Sequence, residues 1–168
     1  MSNINTPTKW SQIVGPFHFY LGLFLFKTGV AGWHPWMHEK TMRQLQRASD
    51  AGIEDALLMF GQLLRYKGAT VYNKTAGIRY LESVANTGRA EGQFMLAEAI
   101  VDPNLISQKS PENAVTLYHR AAEQGHLMAA LRLSKIYHNG LYDQPVDESK
   151  AEHWRNQFLS SSGLEVES

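Results

Sequence analysis

The sequence predicts an all-α protein assembled from repeated helical hairpins, on the strength of three sets of spacings. Gly52, Gly88 and Gly125 stand 36 and 37 residues apart. Four residues after each comes a position with little or no side chain: Ala56, Gly92 or Ala129. Eight and nine after come a large and a small residue, in Phe60-Gly61, Leu96-Ala97 and Leu133-Ser134. Asn73, Ser110 and Asp147, all good helix N-caps, recur at intervals of 37 and 37. Gly77, Ala114 and Ala151 lie four positions past those caps, and Tyr80, Leu117 and Trp154 lie seven past. Self-similarity at one period over so many offsets marks a repeat array. A half unit at the N-terminus carries the same grammar, with Leu21-Gly22, Leu25 and Gly29 aligning with Phe60-Gly61, Leu64 and Gly68.

In chain order, residues 1–14 are polar and mixed and are expected to form a loose arm or a short helix. Residues 13–26, IVGPFHFYLGLFLF, are the most apolar run. The run is too short to span a bilayer and is broken by Gly15-Pro16 and His18. A signal peptide would need early basic residues and a small-x-small cleavage site, for which Lys9 and Gly29-Val30-Ala31 are poor substitutes. The run therefore reads as a buried helix with Pro16 in its first turn. That places the chain in the cytoplasm, with the periplasm as the alternative.

A second helix starts near Pro35, which suits an N1 position, and runs to Ser49 or Ala51 with Met42 and Leu45 inward. Ile53–Lys67 follows the Gly52 turn. Asn73–Thr87 pairs with Arg89–Ile100 across Gly88, and Pro103 stops that helix. Ser110 with Pro111 is a strong start signal for a helix reaching Gln124, which pairs with His126–His138 across Gly125. After a loop at Asn139–Val146, a last helix runs from Asp147 to about Leu159. The domain reading is an arm over 1–14, one repeat domain over 15–160, and a flexible tail over 161–168. Hairpins of this length cannot bury their apolar faces alone, so neighbours must stack.

These motifs resemble those of Sel1-like repeats, relatives of the tetratricopeptide repeat. Ala129, Leu133, Ser134, Tyr137 and Gly140, then Asp147, Lys150, Ala151 and Trp154, match the pattern A-x-x-x-L-G-x-x-Y-x-x-G … D-x-x-K-A-x-x-W, and Ala121-Ala122-Glu123-Gln124-Gly125 matches its end. The middle unit departs from it, since Val101-Asp102-Pro103 stands where an aromatic and a glycine usually close the first helix, and the loop Gly68–Asn73 is irregular. The resemblance implies an α/α superhelical solenoid of about three and a half repeats, with a concave and a convex face.

With 16 basic and 16 acidic residues the chain carries no net charge, which disfavours nucleic acid or an anionic membrane as a global partner. It has no cysteine, so thiol catalysis, a disulfide scaffold and a cysteine–zinc site are unavailable. There is no phosphate loop, G-x-G-x-x-G, H-E-x-x-H or paired-carboxylate motif, and no cofactor is expected. The reading is of a protein that is not an enzyme. Some cysteine-rich relatives of the resembled family are associated with β-lactam binding or hydrolysis, but the cysteine pairs that staple that branch are missing.

If the first helix of each pair lines the concave groove, as in tetratricopeptide-like arrays, the groove positions are Leu58, Gln62 and Arg65; Phe94, Glu98 and Val101; Leu131, Lys135 and His138. Phe19, Leu23 and Phe26 occupy them in the half unit. Such an apolar strip flanked by polar groups suits a peptide or partner helix. The spacing serves equally well for packing on the next helix. Trp33 and Trp36 form a second expected partner-binding element, because aromatics dominate interface hot spots. His34 and His38 near them are too few for zinc, so no metal is expected. The functional expectation is a protein-interaction module or adaptor. The alternative is a bacterial immunity or inhibitor protein that neutralises a toxin by direct binding, and the apolar N-terminal helix is a possible homodimer contact.

Overall fold

The computed structural model describes residues 9–28, 35–67, 71–105 and 110–162. Eight helices fill them: α1 (Lys9–Lys27), α2 (Pro35–Asp50), α3 (Glu54–Lys67), α4 (Val71–Asn86), α5 (Ala90–Ile100), α6 (Pro111–Glu123), α7 (Leu127–Asn139) and α8 (Glu148–Ser162). No strand occurs among the described residues, and the all-α class follows. The chain divides into two compact units, Met1–Tyr80 and Leu81–Ser168.

The expected punctuation is in place. Gly52, Gly88 and Gly125 adopt φ of 79°, 90° and 86°, the left-handed conformation that ends one helix and starts the turn to the next. Pro111 stands at N1 of α6 behind the extended Ser110. The Ser110 hydroxyl turns to the Asn113 side-chain oxygen instead of a backbone N–H. Asp147 caps α8, its carboxylate accepting from the Lys150 N–H at 3.0 Å. At α7 the cap is His126, whose Nδ1 accepts from the Ala129 N–H.

In the first unit α1 and α2 run antiparallel at close range. Gly22 lies against Leu45, and Gly15 against Ala51 and Ile53; a Cβ on Gly15 would sit 2.7 Å from that of Ala51. His18 Nδ1 is 2.6 Å from Gln44 Oε1 across the same seam. Farther on, Phe60 and Tyr80 meet edge to face with ring centroids 5.1 Å apart. Gly77 passes so near the α3 backbone that a Cβ would meet the Gly61 carbonyl at 2.6 Å.

In the second unit, small residues let the helices approach and large ones fill the gaps. Ala97, Ala114, Ala121, Ala122 and Ala129 are wholly buried, as are Leu96 and Leu133 beside them. Polar side chains bridge elements, the buried Gln93 among them. Gln124 donates to Gln93 at 2.8 Å, and Gln157 donates to the Ala122 carbonyl at 2.8 Å.

Four sequence expectations change. The first helix is not confined to 13–26: residues from Lys9 on, expected as a loose arm or short helix, already belong to α1, and Pro16 lies inside the helix rather than in its first turn. Its missing N–H costs one ladder bond, tolerated because Pro16 is on the exposed side. Nor is α1 buried all round, for Trp10, Ile13, Phe17, Tyr20 and Phe24 are exposed. The helix expected from the Asn73 cap begins two residues earlier, at Val71. The last helix runs on to Ser162 and takes in Ser161, expected in the tail.

Candidate functional site

The residues expected to bind a partner fall into two groups, one in each unit. In the first unit Leu58 and Arg65 are each 6 % exposed, so both are packed within the structure. The Arg65 guanidinium lies over the Tyr66 ring, 4.6 Å from its centroid. Gln62 is half-buried, as are Phe19 and Leu23, while Phe26 is exposed. Trp33 and His34 lie outside the described residues. Trp36 is 59 % exposed in the first turn of α2. It borders an open depression of about 430 Å³ lined by Glu39, Lys40, Arg43, Gln44 and Arg47. Glu39 and Arg43 pair there at 2.6 Å, but both are well exposed, so the pair adds little stability.

In the second unit the expected residues come together along α5 and α7. Phe94 stacks on the His126 imidazole at 4.4 Å and tilts against Tyr118 at 6.0 Å. The two histidine nitrogens have separate tasks. With Nδ1 accepting the Ala129 N–H, the proton belongs on Nε2, which donates to Glu91 at 2.9 Å.

Glu98 takes the Arg132 guanidinium in a fork, at 2.7 and 2.8 Å, and also accepts the Tyr118 hydroxyl at 2.7 Å. A bidentate, charge-assisted contact of this kind fixes both side chains. Burial, and then the bond to Glu98, hold the Tyr118 hydroxyl far above its usual pKa, so it stays a donor at any physiological pH. Arg132 was not among the expected residues. Its partner is 34 positions away, and no local spacing marks the pair.

Outside this locked set, α7 presents a stripe to solvent. Met128 and Lys135 are exposed, and Leu131 between them is half-buried. At the far end His138, also exposed, faces Glu148 at the start of α8 at 3.0 Å. Val101, at the end of α5, is half-buried. The face therefore combines a rigid polar floor with exposed apolar and basic side chains. Among the described residues, no group of three or more histidine, aspartate or glutamate side chains could hold a metal ion. Nor is any helix among them long and apolar enough to cross a membrane.

Comparison with known proteins finds a family match in the second unit. Residues 90–126 and 127–154 match the family model of the Sel1 repeat, so α5 to α8 are two consecutive Sel1 repeats. A Sel1 repeat protein from Oxalobacter formigenes superposes with a TM-score of 0.61 at 24% identity, over 76% of this chain and 50% of that one. A protective antigen of uropathogenic Escherichia coli, displaying an SLR fold, gives 0.63 at 21% identity, over 71% and 26%. An immunity protein from Pseudomonas aeruginosa gives 0.54 at 22% identity, over 70% and 44%. At these identities the likeness is one of fold, and this chain spans half or less of each neighbour. No curated protein matches the chain in sequence. Residues 90–154 thus carry two Sel1 repeats, and the neighbours share the helical-repeat fold.

Proposed function

We propose that the protein is a non-catalytic binding module whose protein partner docks on the α5–α7 face of the second unit. The observation that carries this is the division of labour on that face. Glu98, Arg132 and Tyr118 are spent on one another, as are Phe94, His126 and Glu91, while Met128 and Lys135 stay exposed on the same stripe of α7. A surface whose charged groups are already ordered loses little entropy on binding. Exposed methionine adapts to an apolar partner, and lysine selects an acidic residue beside it. Leu131 and His138 extend the contact, and Phe94 and Glu98 support it from beneath. Leu58, Gln62 and Arg65 serve the first unit's packing in this reading. Trp36 with its basic surround is a secondary contact.

The test uses immobilised full-length protein against native lysate, followed by identification of the bound protein and titration calorimetry with it. Met128→Glu/Lys135→Glu alters only exposed side chains, and circular dichroism checks that it folds. We expect the variant to bind the identified partner at least about tenfold more weakly, roughly 1.4 kcal/mol. Equal retention by wild type and variant would remove the α5–α7 face from the reading.

A second reading draws on the immunity protein among the structural neighbours: the bound protein would be a toxin, neutralised by direct contact. An assay of the bound protein's own activity at increasing ratios of this chain separates the two. An immunity protein abolishes its partner's activity at equimolar ratio, whereas an adaptor leaves it intact.

A further inference from the structure

We infer that the outer face of α1 is a self-association surface, on which a second copy of this chain seats its own α1. The exposed residues on it are Trp10, Ile13, Phe17, Tyr20 and Phe24, with Val14 at the edge. Their spacing of three, four, three and four is the heptad pattern that two packed helices share along a seam. Trp10 is 77 % exposed, Phe17 66 %, Tyr20 67 % and Phe24 63 %, and no described residue covers them.

The opposite side of α1 is already used. Gly15, Gly22 and Leu25 are buried there, and Gly22 rests on Leu45 of α2. The helix therefore has two apolar sides, of which the described residues fill one. Isolated exposed apolar residues are ordinary, but an unbroken stripe this long is not.

Three properties select a second copy as the occupant. The first is area: with roughly 150–250 Å² for a whole aromatic side chain, the exposed fractions of the stripe amount to about 700–800 Å² per chain. That is close to the roughly 800 Å² per partner of a standard stable interface. The second is charge. α1 carries no charged residue between Lys9 and Lys27, so the stripe meets its own copy without opposing like charges. The third is symmetry, since a stripe centred on Phe17 is self-complementary about a two-fold axis, as an isologous interface requires.

A membrane surface would instead favour a helix with lysine and arginine along its polar side. On α1 the only such residues are the two terminal lysines, and the chain as a whole is neutral.

The experiment is light scattering coupled to size exclusion on the full chain across a concentration series. Phe17→Glu/Tyr20→Glu is measured in parallel, and both proteins are tested for flotation with neutral and anionic phospholipid vesicles. Wild type is expected at twice the 19.0 kDa chain mass, and the variant at the chain mass with its helical circular dichroism unchanged. Because the chain has no cysteine, Phe17→Cys offers an independent check. Phe17 lies near the two-fold axis, so this variant should form a disulfide-linked pair on mild oxidation. A wild type that stays at the chain mass at the highest soluble concentration would overturn the inference, as would one that is monomeric and floats with vesicles. So would a folded glutamate variant that keeps the doubled mass.

Discussion

His119 shows how one side chain ties the last repeat together. It lies on α6, bonded to the Tyr137 hydroxyl of α7 at 2.8 Å and edge-on to Trp154 of α8 at 5.3 Å. Burial holds its pKa below the ordinary 6.5; Glu123 pulls it up and Lys150 pushes it further down, but burial dominates. The folded protein thus prefers the neutral ring, and below pH 6.5 the unfolded chain binds the extra proton more readily. Stability is complete above that pH and is lost as pH falls from the unfolded value toward the depressed folded one. We expect the melting temperature, followed by circular dichroism, to fall between about pH 7 and 5, and His119→Gln to flatten that slope. An unchanged slope in the variant would assign the acid sensitivity to other groups. None of this is legible in the sequence, where His119 is one of seven scattered histidines. Its importance comes from Tyr137 and Trp154, residues 18 and 35 positions away that only folding brings near.

At the scale of the element, the repeat pattern tells where small residues must stand, and the packing tells why. Ala56 and Ala129 occupy two of the equivalent positions and glycine the third, at 92. A Cβ on Gly92 would lie 2.7 Å from Val84 Cγ1 and 2.9 Å from the Ala85 nitrogen, so α5 meets the end of α4 at backbone distance. Gly92→Ala gains about 1 kcal/mol of helix propensity but must push against backbone, which costs typically 1–3 kcal/mol. The expected net result is a loss of up to about 2 kcal/mol in urea unfolding. A stabilised variant would mean that α5 shifts freely. Two features of other elements were beyond sequence reading. Tyr142 and Asp143 adopt left-handed φ of 56° and 58° in the loop before α8, a conformation to which glycine or asparagine would have pointed and tyrosine does not. Helix α1 starts by Lys9 because nothing in residues 9–14 forbids a helix, and Pro16 lacks only a donor on the exposed side.

At the scale of the molecule, the two proposed surfaces lie in different units: the α1 stripe in the first and the α5–α7 face in the second. Their functions should separate cleanly. Phe17→Glu/Tyr20→Glu is expected to halve the mass in solution while keeping partner affinity within about twofold, and Met128→Glu/Lys135→Glu to do the reverse, as independent sites require. Loss of both properties in either variant would show that association and recognition share one surface.

The all-α class, the hairpin turns, the order of helices and the Sel1 character of the last two repeats were readable directly from the chain. Each depends on local chemistry repeated at a fixed period, such as glycine where φ is positive, a cap before a helix, or a small residue at a close approach. Contacts between elements were not readable. Leu58 and Leu131 carry the same spacing, yet the first is 6 % exposed and the second half-buried. Helical periodicity specifies which side of a helix is apolar, and does so for both sides of α1. Which side finds a partner within the chain depends on where the neighbouring helices end. That is why the same pattern yields a buried seam against α2 and, opposite it, a stripe of aromatic residues that no described residue covers.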